Sequence, residues 1–133
     1  MTRKTDGWQS RLGVYLSETS QAPFAYGVND CALFSAGAVL AMTGVDLAAD
    51  WRGRYKTMRG GLRVLRAAGH ANHVALAAAT FPVTDLPRGG DLAVIETDHG
   101  PALGVVQGAL IYVLRETGIG LLPISAATTF FEV

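Results

Sequence analysis

The stretch Asn29-Asp30-Cys31-Ala32-Leu33-Phe34-Ser35-Ala36-Gly37-Ala38-Val39-Leu40-Ala41-Met42-Thr43-Gly44 decides how the rest of the chain must fold. Asn29 and Asp30 are good N-cap residues, because a short side-chain oxygen accepts from the free N–H groups of a first helical turn. Gly44 supplies the stop. The spacing predicts a helix over Cys31–Thr43, and from Cys31 to Met42 only Ser35 is distinctly polar. A helix apolar around its whole circumference belongs in the middle of a core, with neighbours on every side.

Those neighbours are legible on both flanks. Asp6 can cap a helix from Gly7 to about Ser17 that puts Trp8, Leu12, Tyr15 and Leu16 on one face. Further helices are predicted around Thr57–Ala68, ending at Gly69, and around Asn72–Ala79. Beyond them come four short apolar runs, 92–95, 103–106, 110–114 and 119–122. They are separated by Asp98-His99-Gly100-Pro101, Gln107-Gly108 and Glu116-Thr117-Gly118, connections too short for helical crossovers. Helices first and a small antiparallel meander second is an α+β layout, here a single domain over 1–133.

Composition narrows the function. The chain has 133 residues, 50% apolar and 17% charged, with 11 basic and 11 acidic side chains. That length suffices for one core without disulfides or metal, and that apolar content excludes disorder. A net charge of zero excludes a strongly basic nucleic-acid binder. The apolar run Ala36–Met42 falls far short of the roughly 18 residues needed to span a bilayer, and Met1–Ser10 is not a secretory signal. One cysteine makes no internal disulfide, no Cys-x-x-Cys or histidine-rich cluster suggests zinc, and no glycine-rich phosphate loop occurs. No cofactor, metal, nucleic acid or membrane span is therefore expected.

Cys31 is the residue on which the chemistry turns. At a helix start its sulfur faces the positive end of the dipole and free N–H groups, which favour the thiolate. The structural alternative is a small residue filling a crowded helix start. A thiolate hydrolase needs a base in reach, and three histidines are present. His70 follows a helix stop and reads as structural. His73 reads as partly exposed polar surface. His99 lies in a turn beside Asp98.

Charge is uneven: residues 1–66 carry net +4 and residues 67–133 net −4. Arg59, Arg63 and Arg66 form one stripe on a predicted helix, either a solvated face or a contact for an anionic partner.

Phe24-Ala-Tyr-Gly-Val-Asn-Asp-Cys-Ala-Leu-Phe34, followed by Arg88-Gly-Gly-Asp-Leu-Ala93, resembles the NlpC-type, papain-like cell-wall peptidases. In that family a Tyr-Gly…Asp-Cys motif opens the nucleophile helix. A Gly-Asp-Leu motif opens the first strand of a small sheet, and the next strand brings the catalytic histidine. The chain is also similar to small phage and prophage proteins that sit with tail-tip genes. These share Tyr-Gly-x-x-Asp-Cys, a Gly-Arg-Tyr like residues 53–55 and a Gly-Pro-Ala-Leu-Gly-Val like residues 100–105.

The resemblance implies a papain-like fold with a central buried Cys31 helix. It also implies a protein made in the host cytoplasm and built into a phage-type tail. One departure weighs heavily. Where the peptidases begin a strand with His-Val-Gly-Ile, this chain has Ala102-Leu-Gly-Val105, and on the following strand only Tyr112 has a polar tip. Ala102 cannot take a proton.

Two readings follow from the resemblance. In one the chain is a structural tail-tip subunit with a degenerate peptidase site, touching other tail or baseplate proteins through Arg59, Arg63 and Arg66. In the other it is an active cysteine endopeptidase or amidase acting on peptidoglycan. There Cys31 would be the nucleophile, His99 the base, and helix-start N–H groups part of the oxyanion hole. Asp30 would cap the helix and hold Tyr26 or its loop. A plain binding module for wall sugars or peptides would need neither Cys31 nor His99.

Overall fold

The computed structural model describes residues 3–133. Four helices come first: α1 (Trp8–Thr19), α2 (Cys31–Thr43), α3 (Met58–Ala67) and α4 (His73–Thr80). Three of them start where their capping residues dictate. Asp30, Thr57 and Asn72 accept from Leu33 N, Gly60 N and Ala75 N, and Gly44 ends α2 in the left-handed region at φ 79°. α1 differs from the expectation. Gly7 (φ 77°) occupies its cap position without a side-chain bond, and Asp6 accepts from Arg11 through its backbone oxygen.

The five strands are β1 (Leu92–Thr97), β2 (Gly100–Gln107), β3 (Leu110–Arg115), β4 (Gly118–Pro123) and β5 (Thr129–Phe131). They form one antiparallel sheet in the order β4-β3-β2-β1-β5. The first four make the expected meander; β5 is an addition. After β4, at one edge, the chain turns through a 3₁₀ segment, Ile124–Ala126. It then crosses the sheet to pair Thr129–Phe131 with Leu92–Val94 at the opposite side.

This crossing gives each face of the sheet its own cover. Leu92, Val94, Leu103 and Val105 pack with Leu12 and Leu16 of α1 and with Phe34, Ala38, Val39 and Met42 of α2. Ala93, Ile95, Val106, Ile111 and Val113 lie under Leu122, Ile124, Ala126, Ala127 and Phe130. Each large aliphatic side chain so buried contributes about 1.5–3 kcal/mol. α1 approaches α2 closely because Gly37 leaves room for the Tyr15 ring, whose hydroxyl donates to Phe34 O at 2.8 Å.

α2 is central, but it is not enclosed throughout. Leu40 is 40% exposed, and Cys31 is only half-buried, which corrects the expectation of a fully buried cysteine helix. The reason is local: the sheet and α1 cover the middle of α2, whereas its first turn is bordered by the loop ahead of it. Among the described residues no helix is long and apolar enough to cross a membrane.

Candidate functional site

The loop before α2 is organised by one buried carboxylate. Asp30 is 3% exposed. Its Oδ1 accepts from Leu33 N at 2.9 Å, and its Oδ2 accepts from Gly27 N at 3.0 Å and from the Tyr55 hydroxyl at 2.6 Å. Gly27 has φ 81°, and a Cβ there would overlap the Tyr55 carbonyl oxygen. The Gly27 carbonyl in turn accepts from Gly53 N at 2.8 Å. The Tyr-Gly-x-x-Asp-Cys and Gly-Arg-Tyr segments are therefore two halves of one knot. Gly61 extends it by leaving space for the Tyr55 ring. Burial and the Asp30 carboxylate push the Tyr55 hydroxyl far above its ordinary pKa, so it stays a donor.

The sequence reading had Asp30 capping α2 and holding Tyr26 or its loop. Asp30 does cap α2, and it holds the loop at Gly27; the hydroxyl it binds is that of Tyr55. Tyr26 stands nearby with its ring edge-on to Phe24, centroids 5.0 Å apart. Burial, then the charges of Cys31, Asp30 and Glu116, raise its pKa.

Cys31 sits beside this knot. Burial is the first influence on its thiol and the Asp30 carboxylate the second, and both raise its pKa. Its own backbone N–H works the other way and is outweighed. Helix-start geometry is therefore opposed at this position, first by burial of the thiol and then by the negative charge of the residue that caps the helix.

The histidines are placed differently from one another. His99 is exposed in the β1–β2 turn, where its backbone N–H donates to Thr97 Oγ1 at 3.1 Å. His70 closes α3 through its backbone N–H, which donates to Leu65 O at 2.9 Å. His73 is partly exposed, as its sequence suggested, but its ring nitrogen is turned inward. Its Nε2 accepts from Leu103 N at 3.2 Å, and it shares a cavity of about 10 Å³ with Ala32, Ser35, Leu76 and Leu103. Burial depresses its pKa to about 4 despite the opposing charge of Asp30, so the ring is neutral at pH 7. Among the described residues no hydrogen bond or ion pair joins Cys31 to a histidine.

Strand register fixes what β2 offers to α2. Ala102 lies opposite Ile95 and so shares the face turned toward the crossing segment. The residues of β2 that pack toward α2 are Leu103 and Val105. Tyr112 is on the helix side of β3, where it lines a groove against α1 rather than the Cys31 surroundings. Arg59, Arg63 and Arg66 are all exposed on α3 and form no salt bridge with the described residues. Among the described residues no cluster of three or more His, Cys, Asp or Glu is arranged to hold a metal ion.

Two residues escaped the sequence reading as partners. Tyr55 was quoted only as part of a motif, although Gly61, which makes room for its ring, stands six residues on. Asp91, 1% exposed, accepts from Arg88 N, Val133 N and Lys4 Nζ and so ties the entry of β1 to both flanks of the chain.

Fold and site together define an α+β protein: four helices ahead of a five-stranded antiparallel sheet, with a half-buried cysteine opening the second helix. The chain belongs to the family described as a domain of unknown function (DUF6950), which matches residues 3–133. Comparison with curated proteins gives no match.

Proposed function

We propose that this protein is a papain-like, NlpC-like domain that has lost its peptidase chemistry and serves as a structural subunit of a phage-type tail tip. It would be made in the host cytoplasm and carried into the particle. The observation that supports this most is the state of Cys31. Among the described residues no histidine is hydrogen-bonded to it, and burial first and the Asp30 carboxylate second raise its thiol pKa. On β2, neither Ala102 nor the α2-facing Leu103 can accept a proton. Asp30, in a position that would serve a nucleophile's helix, is fully engaged in holding the loop and Tyr55. Fold and chemistry are separable, and the same scaffold can persist as a building block.

The test is the rate of iodoacetamide labelling of the folded protein between pH 5 and 9. Cys31 is the only thiol, so the reading is clean. Slow labelling that rises only above about pH 8.5 is expected. Fast labelling below pH 7 that His99→Ala or His73→Ala abolishes would restore the peptidoglycan endopeptidase reading. The tail-tip contact is assigned to the unpaired stripe Arg59, Arg63 and Arg66. Changing all three to Glu is expected to leave the isolated domain folded and to stop its incorporation into particles. Normal incorporation would remove the stripe from the interface.

A further inference from the structure

The helix-side face of the sheet is wider than the helices that cover it. Beyond Leu16, α1 leaves a groove over β3 and β4 with about 420 Å³ of open space, floored by Tyr112, Ile119 and Leu121 and reached by Gln107. That volume falls within the roughly 300–1,000 Å³ of small-molecule sites. The groove is separate from the Cys31 knot, and nothing argued for Cys31 or for the tail tip depends on it.

Its chemistry is specific in one respect: no side chain lining it is charged. Ser17, Ser20, Gln107 and Tyr112 line it; the Ser20 hydroxyl donates to Ser17 O at 2.8 Å, whereas the side chains of Ser17, Gln107 and Tyr112 form no hydrogen bond with the described residues. Between them stand the apolar surfaces of Leu16, Ile119 and Leu121. An ionic ligand would meet no counter-charge here and would lose hydration. A purely apolar ligand would cover three polar groups without pairing them. A ligand with both a hydroxyl-rich edge and an apolar C–H face satisfies the whole lining.

The groove is also lined by a residue that helix stability disfavours. Gly13 lies in the interior of α1, where glycine is less stable than alanine, yet a Cβ at this position would meet nothing within 4 Å. No packing contact requires the glycine. What its missing side chain preserves is open space. From this arrangement we infer that the groove between α1 and β3–β4 is a binding site for a neutral saccharide. Tyr112 would meet the sugar's C–H face, and Gln107 and Ser17 would bond its hydroxyl or acetamido groups.

The experiment is an NMR titration of the full chain with chitotriose, alongside cellotriose as a neutral sugar without acetamido groups and trigalacturonate as a charged one. Binding of at least one neutral trisaccharide is expected, with Kd near about 1 mM, shifting residues of α1, β3 and β4. Gly13→Leu, whose Cβ meets nothing within 4 Å and whose side chain starts at the groove wall, is expected to weaken it by about tenfold or more while leaving the fold intact by circular dichroism. Should that variant fail to fold, the double change Ser17→Ala, Gln107→Ala carries the same expectation. The inference is overturned by the absence of shifts with both neutral sugars at about 10 mM. It is equally overturned by undiminished binding in the Gly13→Leu or double variant, or by trigalacturonate binding as well as they do.

Discussion

The two polar regions on the helix side of this protein are opposites. At the start of α2 the buried carboxylate and its neighbours use their hydrogen bonds on one another: Asp30 with Leu33, Gly27 and Tyr55, and Gly27 with Gly53. In the groove beside α1, the Ser17, Gln107 and Tyr112 side chains have no hydrogen-bond partner among the described residues. The first region contains the residues that resemble a peptidase motif; the second contains no motif. The difference teaches that a motif can mark an architectural knot, whereas capacity to bind lies where hydrogen bonds remain unspent.

The comparison breaks most visibly at Asp30. Asp30→Ala leaves two buried N–H groups and the Tyr55 hydroxyl without their acceptor, and is expected to cost about 4 kcal/mol in urea unfolding. Gln107→Ala in the groove, measured in the same way, is expected to stay within about 0.5 kcal/mol of the parent. Equal costs at the two sites would erase the distinction.

A smaller effect sharpens it on the closed side. The His73 pKa is lowered from 6.5 to about 4, so between those values the unfolded chain binds more protons than the folded one. Stability from this group is therefore full above pH 6.5 and is lost as pH falls toward 4, by on the order of 3 kcal/mol in all. His73→Gln keeps an acceptor for Leu103 N and removes the titration. The difference between the two proteins in denaturant midpoints from pH 4 to 7 should follow that curve. A difference that does not vary with pH would show that the ring is not buried in solution.

Much of the fold was legible because its signals are local. Asp30, Thr57, Asn72 and Gly44 punctuate the helices through contacts within a few residues, and the meander strands are joined by turns that allow nothing but antiparallel neighbours. What was missed depends on distant partners. β5 has three residues and no periodicity of its own; it is a strand only because β1 offers an edge. His73 looks like any polar residue at a helix start until Leu103, 30 positions on, supplies its partner. Asp30 was read correctly as a cap, yet its bond to Tyr55 spans 25 positions and was invisible. Asp6 was misread for a different reason. A capping residue and a left-handed glycine stand side by side, and the backbone starts the helix after the glycine.

The crossing of residues 124–128 sets an order of events during synthesis. Helices and meander emerge from the ribosome before the segment that covers the outer face of the sheet. Until then Ala93, Ile95, Val106, Ile111 and Val113 form a bare apolar patch, and β1 ends in an unpaired edge. Both invite association with another chain. The window closes only when Phe130 settles on the patch and Thr129–Phe131 joins the ladder. A chain nicked ahead of Thr129–Phe131 is thus adhesive at this face in a way the intact domain is not.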